Sequence, residues 1–481
     1  MKVLFGALVL ASVAITAAQA SVPPQERTLA GAELARAADR AAIALLDDRQ
    51  PAVAARAALA LGRSKQAAAL APLLAHAGVK DPSVRAAVAF ALGLIADKEA
   101  LPRERAMALG DRESAVRYAA VDALGRIAAA DKAQATPQLA TDLLGIVRAD
   151  RVPLVRAHAA VALEAFRDAA NADDIALGLA KALDTEYEDV VRWHEMWTIF
   201  RAYATRVPRT TLEAALHDPV ELVRVEAARA WGRRTEPDAA DVIRSAFDDA
   251  SWHVQYEARE SLKRILKQDP AQHLTEVAAG LHLPPLDPPN DEQALPRTSP
   301  SPAAGPPVLD DLVAPAPLVL NDARRMDGPM PGPHPRVRIR TTKGDLIVRL
   351  YPEWAPFTVA NFLKLTNRGY FDGNRWFRIV PDFVVQTGDP NDNGEGDAGY
   401  TIPAEENPIE QESGIISMGL NYENNAPKRD SAGSQFYITL SPQFHLDRDF
   451  TVFGRVVSGN GVLARLIESD RIVRVDRLTD H

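Results

Sequence analysis

Few side chains among the last ~145 residues are suited to covalent chemistry, and each can be weighed on its own. Residues 336–481 hold two histidines, His445 and His481, and the whole 481-residue chain has no cysteine. Thiol nucleophiles, Cys-type zinc sites and disulfides are therefore excluded. Ser434 has no base near it in sequence and no G-x-S-x-G turn around it, so acyl-transfer chemistry is disfavoured. Glu405, Glu406 and Glu412 read as a solvated acidic loop rather than as a working acid–base pair. Asp389-Pro390-Asn391-Asp392-Asn393-Gly394 matches the first six positions of a calcium loop. Its twelfth position is Tyr400 instead of a bidentate Glu, and strand-like segments flank it, so a tight polar loop is expected and no metal.

One constellation remains. It runs from Phe377-Arg378-Ile379-Val380-Pro381-Asp382-Phe383-Val384-Val385-Gln386 to Thr387-Gly388-Asp389. Gly433-Ser434-Gln435-Phe436-Tyr437-Ile438 follows, then Leu446-Asp447 and Phe450-Thr451-Val452-Phe453-Gly454. These blocks, in this order and near this spacing, resemble the cyclophilin family of peptidyl-prolyl isomerases over roughly 336–478. The resemblance implies an eight-stranded closed barrel capped by two helices, with a shallow apolar proline pocket on its outer face. Residue by residue, Arg378 matches the family's catalytic arginine. Phe383, Val384, Tyr437, Leu446 and Phe450 match its proline pocket, and Gln386 and Gln435 its backbone-binding amides. Asn421 is assigned to a further substrate-backbone contact. No cofactor is implied.

That reading is physically coherent. An X–Pro bond rotates over a barrier of ~18–20 kcal/mol set by amide resonance, and no bond need break. A guanidinium that donates to the prolyl nitrogen as it turns pyramidal favours the twisted state over the planar one. Such a charge-assisted hydrogen bond is worth about 1.5–3 kcal/mol, so apolar walls and amide anchors must supply the rest.

Several positions depart from the family. Phe377 replaces a common His, Val384 a Met, Phe450 a His, and His445 stands where eukaryotic members often carry Trp. Residues 421–431 form a longer polar loop than usual.

The elements that must position these groups read as short strands. VRIRTT and DLIVRLY alternate around Lys343-Gly344 as a hairpin, and Trp354 to Asn367 reads as a helix. WFRI, DFVVQ, GIISM, SQFYIT and FTVFGRVV follow as strands, Val462 to Glu468 as a second helix, and IVRVDRL as a closing strand. Many short strands with two helices suggest a small closed barrel.

Residues 27–280 have a different texture, rich in Ala, Leu and Arg with apolar residues at helical spacing. A motif recurs from Asp81, Asp111, Asp150, Asp218 and Asp249, with weaker copies from Arg49 and Glu186. Its central valines fall at 84, 116, 155, 191, 223 and 254, a period of 31–39 residues that signals a helical solenoid. The motif resembles HEAT-type repeats, in which an Asp in the inter-helix turn precedes an Arg on the second helix by six residues. Asp111/Arg117, Asp150/Arg156 and Asp218/Arg224 keep that spacing; Asp81/Arg85 is two short, and Gln255 replaces the last Arg. A structural ladder of carboxylates and guanidiniums at helix N-termini is expected.

Between the two lies a proline-rich linker over 281–335, with 15 of the chain's 35 prolines between Pro284 and Pro335. Lys2, the apolar run Val3–Ala17 and Ala18-Gln19-Ala20 read as a signal peptide over 1–20, too short to span a membrane. Export without cysteine suits a periplasm. A formal charge of −9 argues against nucleic acid as a partner. The expected function is an exported prolyl isomerase assisting protein folding, acting on proline-containing clients recruited through the helical-repeat surface. The alternative is a proline-binding scaffold or holdase-type chaperone, and a pigment lyase is disfavoured.

Overall fold

The computed structural model describes residues 23–267 and 334–478. The expected signal peptide, residues 268–280 and nearly all of the expected linker lie outside them.

The first part is a row of helix pairs. The second helix of each pair starts at the recurring acid. Asp81 accepts hydrogen bonds from the Ser83 and Val84 amides ahead of the Pro82–Ile95 helix, with proline at the first helical position. Asp111, Asp150, Asp218 and Asp249 receive the amides of Glu113, Val152, Val220 and Ser251 in the same way. These second helices stack side by side: Pro51–Ser64, Pro82–Ile95, Ser114–Ala130, Pro153–Ala162, Asp189–Thr198, Glu221–Trp231 and Trp252–Leu266. Close stacking requires small residues at the crossings. A Cβ on Gly62 would lie 2.6 Å from Ala91 Cα, and one on Gly93 would lie 2.8 Å from Ala123 Cα.

The acid–arginine ladder exists, with its rungs running between repeats. Arg85 binds Asp111 with two hydrogen bonds of 2.8 and 2.9 Å, Arg117 binds Asp150 and Arg224 binds Asp249. Each arginine from 117 onward touches its own repeat's acid through the backbone: Arg117, Arg156 and Arg224 donate to the carbonyls of Asp111, Asp150 and Asp218. Gln255 keeps that bond to the Asp249 carbonyl although it lacks the charge.

The second part is one curled sheet of eight strands in the order β10-β1-β2-β9-β5-β8-β4-β3. Its strands are β1 (Arg336–Thr341), β2 (Gly344–Leu350), β3 (Arg378–Val380), β4 (Val384–Thr387), β5 (Ile415–Met418), β8 (Phe436–Thr439), β9 (Val452–Ser458) and β10 (Ile472–Arg477). The edges β10 and β3 are joined by irregular bonds, including the Trp376 amide to the Asp470 carbonyl and the Ile472 amide to the Asn374 carbonyl. The expected 421–431 loop carries a small hairpin of β6 (Tyr422–Glu423) and β7 (Ala426–Pro427). Phe362, Phe371, Phe436 and Phe453 meet inside the barrel at ring separations of 5.1–6.5 Å.

Two expectations need correction. The second helix is Asn460–Leu463 rather than Val462–Glu468. Beyond it, i→i+3 bonds tighten the chain into turns, and Asp470 captures the Ile467 amide. Glu405 and Glu406 are not solvated; both are buried. Glu405 accepts the Phe357 and Thr358 amides at the start of the Pro356–Asn367 helix, and Glu406 pairs with Arg429 and Lys65.

Lys65 belongs to the helical array, and its partner is one of many contacts across the chain. Arg63, fully buried, donates to the carbonyls of Trp354 (2.5 Å) and Glu406 (2.8 Å). Arg36 holds Asp430 and the Ala404 carbonyl. Midway, Phe444 stacks on Trp193 and His194 at 4.9 and 4.7 Å and meets the edge of Trp197. Glu410 lies against His158 and His194, and Arg448 reaches Asp122. At the far end Arg229 and His253 converge on Asp382. Tyr351, Trp354, Ile409 and Phe444 of the barrel join the array's core, and Trp252 and Tyr256 of the array join the barrel's core. The second helices are therefore the barrel's seat, and much of the repeat surface expected to meet partners is covered by the chain's own barrel. Among the described residues no helix is long and apolar enough to cross a membrane.

Candidate active site

Strand register explains why residues far apart in sequence meet. Arg378 on β3 is paired with Gln386 on β4, which is paired with Tyr437 on β8. Directly opposed residues share a sheet face, and Val384 shares it with Gln386 two positions on. The intervening residues Ile379, Val385 and Ile438 point the other way and are buried in the barrel core. The period of two thus puts one guanidinium, one amide, one valine and one tyrosine together on the outer face.

The apolar part of the site is a compact cluster of Val384, Tyr437, Leu446 and Phe450, with Phe383 and Leu420 packed against it. Tyr437 and Phe450 meet edge to face at 5.7 Å. Arg378 is exposed at the mouth, with its Cζ 5.5 Å from the Phe383 ring centroid. Its Nη1 donates to Gln386 Oε1 at 3.3 Å. Gln386 in turn donates to Gln435 at 3.0 Å, and Gln435 donates to the carbonyls of Gly394 and Gly396. Partial burial draws the guanidinium below its ordinary pKa, where it remains a cation at any physiological pH. Together these walls enclose a cleft of about 810 Å³.

All nine residues expected from the sequence line this cleft, Asn421 at its rim. The Asn421 amide donates to Ser431 Oγ and its carbonyl accepts from Lys428, which leaves its side chain to face a ligand. Leu420 and Tyr422 also line the cleft and were not anticipated; the apolar Leu420 directly after Met418-Gly419 was the available signal. The calcium-like loop folds on itself: Asp389 accepts the amides of Asn391, Asn393 and Gly394.

The turn between β3 and β4 is held from outside the barrel. Asp382 has φ +53, a left-handed conformation that Asp tolerates better than most residues. Its carboxylate takes Arg229 and His253, and its carbonyl accepts from Arg229, Ser441 and Gln443. Burial opposes ionisation of Asp382, but Arg229 and His253 outweigh it and hold the carboxyl well below its usual range. The next residue is Phe383, so the array fixes one wall of the cleft.

Comparison with known proteins places the barrel and the array in known families. The profile of the cyclophilin type peptidyl-prolyl cis-trans isomerase/CLD family matches residues 336–479, and that of HEAT repeats matches 77–164 and 209–280. Peptidyl-prolyl cis-trans isomerase B of Bacillus subtilis is 50% identical over 112 residues, 23% of this chain and 74% of that protein. Peptidyl-prolyl cis-trans isomerase CYP18-2 of Arabidopsis thaliana is 41% identical over 140 residues, 28% of this chain and 82% of that protein. A crystal structure of a cyclophilin type isomerase from Cryptosporidium parvum aligns over 31% of this chain and 100% of its own, at 26% identity and a TM-score of 0.29. With its HEAT repeats ahead of an isomerase barrel, the chain belongs to the cyclophilin-type peptidyl-prolyl cis-trans isomerases.

Proposed function

We propose that the cleft isomerises X–Pro bonds of polypeptide clients, with Arg378 as the catalytic residue and Phe383 and Gln386 completing its immediate surroundings. The proline ring would sit on Val384, Tyr437, Leu446 and Phe450, while Gln386, Gln435 and the Asn421 side chain hold the flanking peptide groups. Arg378 then donates to the prolyl nitrogen as the amide twists and its lone pair localises; no bond is made or broken and no cofactor is required. The observation that carries this reading is a guanidinium at the open mouth of the cleft, beside the apolar cluster of Val384, Tyr437, Leu446 and Phe450 and tethered by Gln386 at 3.3 Å.

The clients we propose are exported proteins, because residues 1–20 read as a signal peptide cleaved after Ala20. In that setting the enzyme would assist folding in a periplasm or outside the cell, with the helical array bringing clients to the cleft. The test is prolyl isomerisation of a short X–Pro peptide by the full chain and by Arg378→Ala. Loss of one charge-assisted hydrogen bond predicts a fall in kcat/KM of roughly 10–150-fold. Equal, near-background rates for both proteins would leave a proline-binding scaffold as the better account.

A further inference from the structure

A second cavity, of about 420 Å³, adjoins the proline cleft where barrel and array meet. Phe383 lines both cavities. Beside it His445 stacks on the Phe383 ring at 5.8 Å and 14°, forming the barrel-side wall. The opposite wall comes from the array and carries four arginines, Arg201, Arg229, Arg233 and Arg264, against two lining carboxylates, Glu257 and Asp382. On a chain with a formal charge of −9, this is a local reversal of sign.

The arginines are not equally committed. Arg229 is consumed by Asp382, Glu226 and Glu257. Arg201 pairs with Glu164 at 3.2 Å, and Arg264 reaches Glu257 only at 3.6 Å. Arg233, among the described residues, has no carboxylate partner. It donates to the Arg201 carbonyl at 3.0 Å, and its Cζ rests 4.3 Å above the Phe200 ring. Desolvation first, then the charges of Arg201, Arg167 and Arg264, lower its pKa against the pull of Glu226. The same field reaches the rim of the proline cleft: burial, Arg201 and Arg229 pull the His445 imidazole down to about 4. An anion placed here would relieve a like-charge cluster without displacing an existing pair.

We propose that this cavity is a second subsite of the isomerase, which takes an acidic side chain carried by the client within a few residues of its proline. The inference rests on the isomerase reading above. A chain crossing the proline cleft and running over Phe383 and His445 enters the cavity, and its Asp or Glu carboxylate meets Arg233 with a planar, bidentate-capable partner. The array would thereby select among clients while the barrel acts on them.

The experiment uses the full chain and short X–Pro peptides bearing Glu or Gln at each of three positions on either side of the proline. Turnover is followed by isomerisation kinetics, and affinity by fluorescence anisotropy. At one position Glu should exceed Gln in kcat/KM by roughly two- to fivefold, mostly through KM, as expected for an ion pair with an exposed arginine. The ratio should collapse to about one in Arg233→Gln and in molar salt, and persist in Arg233→Lys. No Glu/Gln difference at any position, or a preference that survives Arg233→Gln, overturns the subsite. If no peptide is turned over, the isomerase reading fails instead, and the Glu/Gln affinity ratio still decides the subsite.

Discussion

Arg229 Nη2 lies 2.5 Å from Asp382 Oδ2, joining a helix of the repeat array to the turn that presents Phe383 to the proline cleft. Both groups are buried, and the pair is separated by 153 residues of sequence. The array therefore does more than carry the barrel: it shapes the wall on which a proline would rest.

Removing one partner of a buried ion pair leaves the other charge stranded. Arg229→Met should destabilise the full chain by about 3–5 kcal/mol in denaturant titration. It should also raise KM for X–Pro peptides more than it lowers kcat, because the Phe383 wall loosens while Arg378 stays. An unchanged unfolding midpoint would show that His253 alone holds the turn.

Phe444 is the apolar counterpart of that ion pair. Its ring fills the space between Trp193, His194 and Trp197, and Leu446 of the proline cleft follows two residues later. Phe444→Ala should cost about 3–5 kcal/mol, the range for a fully buried aromatic, measurable as a lowered thermal midpoint.

Excising the barrel exposes everything that the array covers. An isolated 336–481 fragment uncovers Tyr351, Trp354, Ile409 and Phe444 and strands Arg448 and Glu410 without Asp122 and the two histidines. We expect it to melt below the full chain and to bind an apolar dye. A fragment as stable as the whole protein would mean the shared core contributes little.

Stability should peak in mild acid. Burial pushes Glu226 and Glu405 up to about 7, from an ordinary value of 4.5. The folded chain then keeps protons that the unfolded chain releases, so stability falls as pH rises from 4.5 to 7. Burial likewise opposes ionisation of Glu33, but Arg56 and Arg63 outweigh it and hold it at about 2, so its contribution is lost as pH falls from 4.5 toward 2. Burial raises Glu195 and Glu257 in the same direction as Glu226 and Glu405, while His445, pulled down to about 4, opposes them between pH 6.5 and 4 but is outnumbered. The thermal midpoint should therefore be higher at pH 5 than at pH 7.5, and Glu226→Gln with Glu405→Gln should reduce the difference. A midpoint that rises from pH 5 to 7.5 in the native sequence would contradict this balance.

What the sequence made readable was local or periodic. Arg378, Phe383 and Gln386 fall within nine residues, and the resemblance of that block to the cyclophilin family is what marked them; the register that sets Arg378 opposite Gln386 came only with the structure. The repeat period of 31–39 residues likewise revealed the solenoid. The direction of the Arg–Asp rungs was less visible, because the six-residue spacing to a repeat's own acid pointed within the repeat, whereas the partner acid stands 25–33 residues on in the next one. Glu405 and Glu406 misled for a related reason: two adjacent acids look solvated until a helix N-terminus and Arg429 are brought to them. The seat of the barrel left no trace at all, since the contacts of Arg63 with Trp354 and Arg229 with Asp382 join positions with no common period.

A repeat array ordinarily tolerates gain or loss of a unit, because each repeat touches only its neighbours. Here the barrel is gripped at one end by Arg36 and Arg63 and at the other by Arg229 and His253. The array thus works as a gauge of fixed length: one repeat more or fewer would carry the far grip a full unit past Asp382, and the enzyme would lose the freedom to drift in repeat number that solenoids otherwise keep.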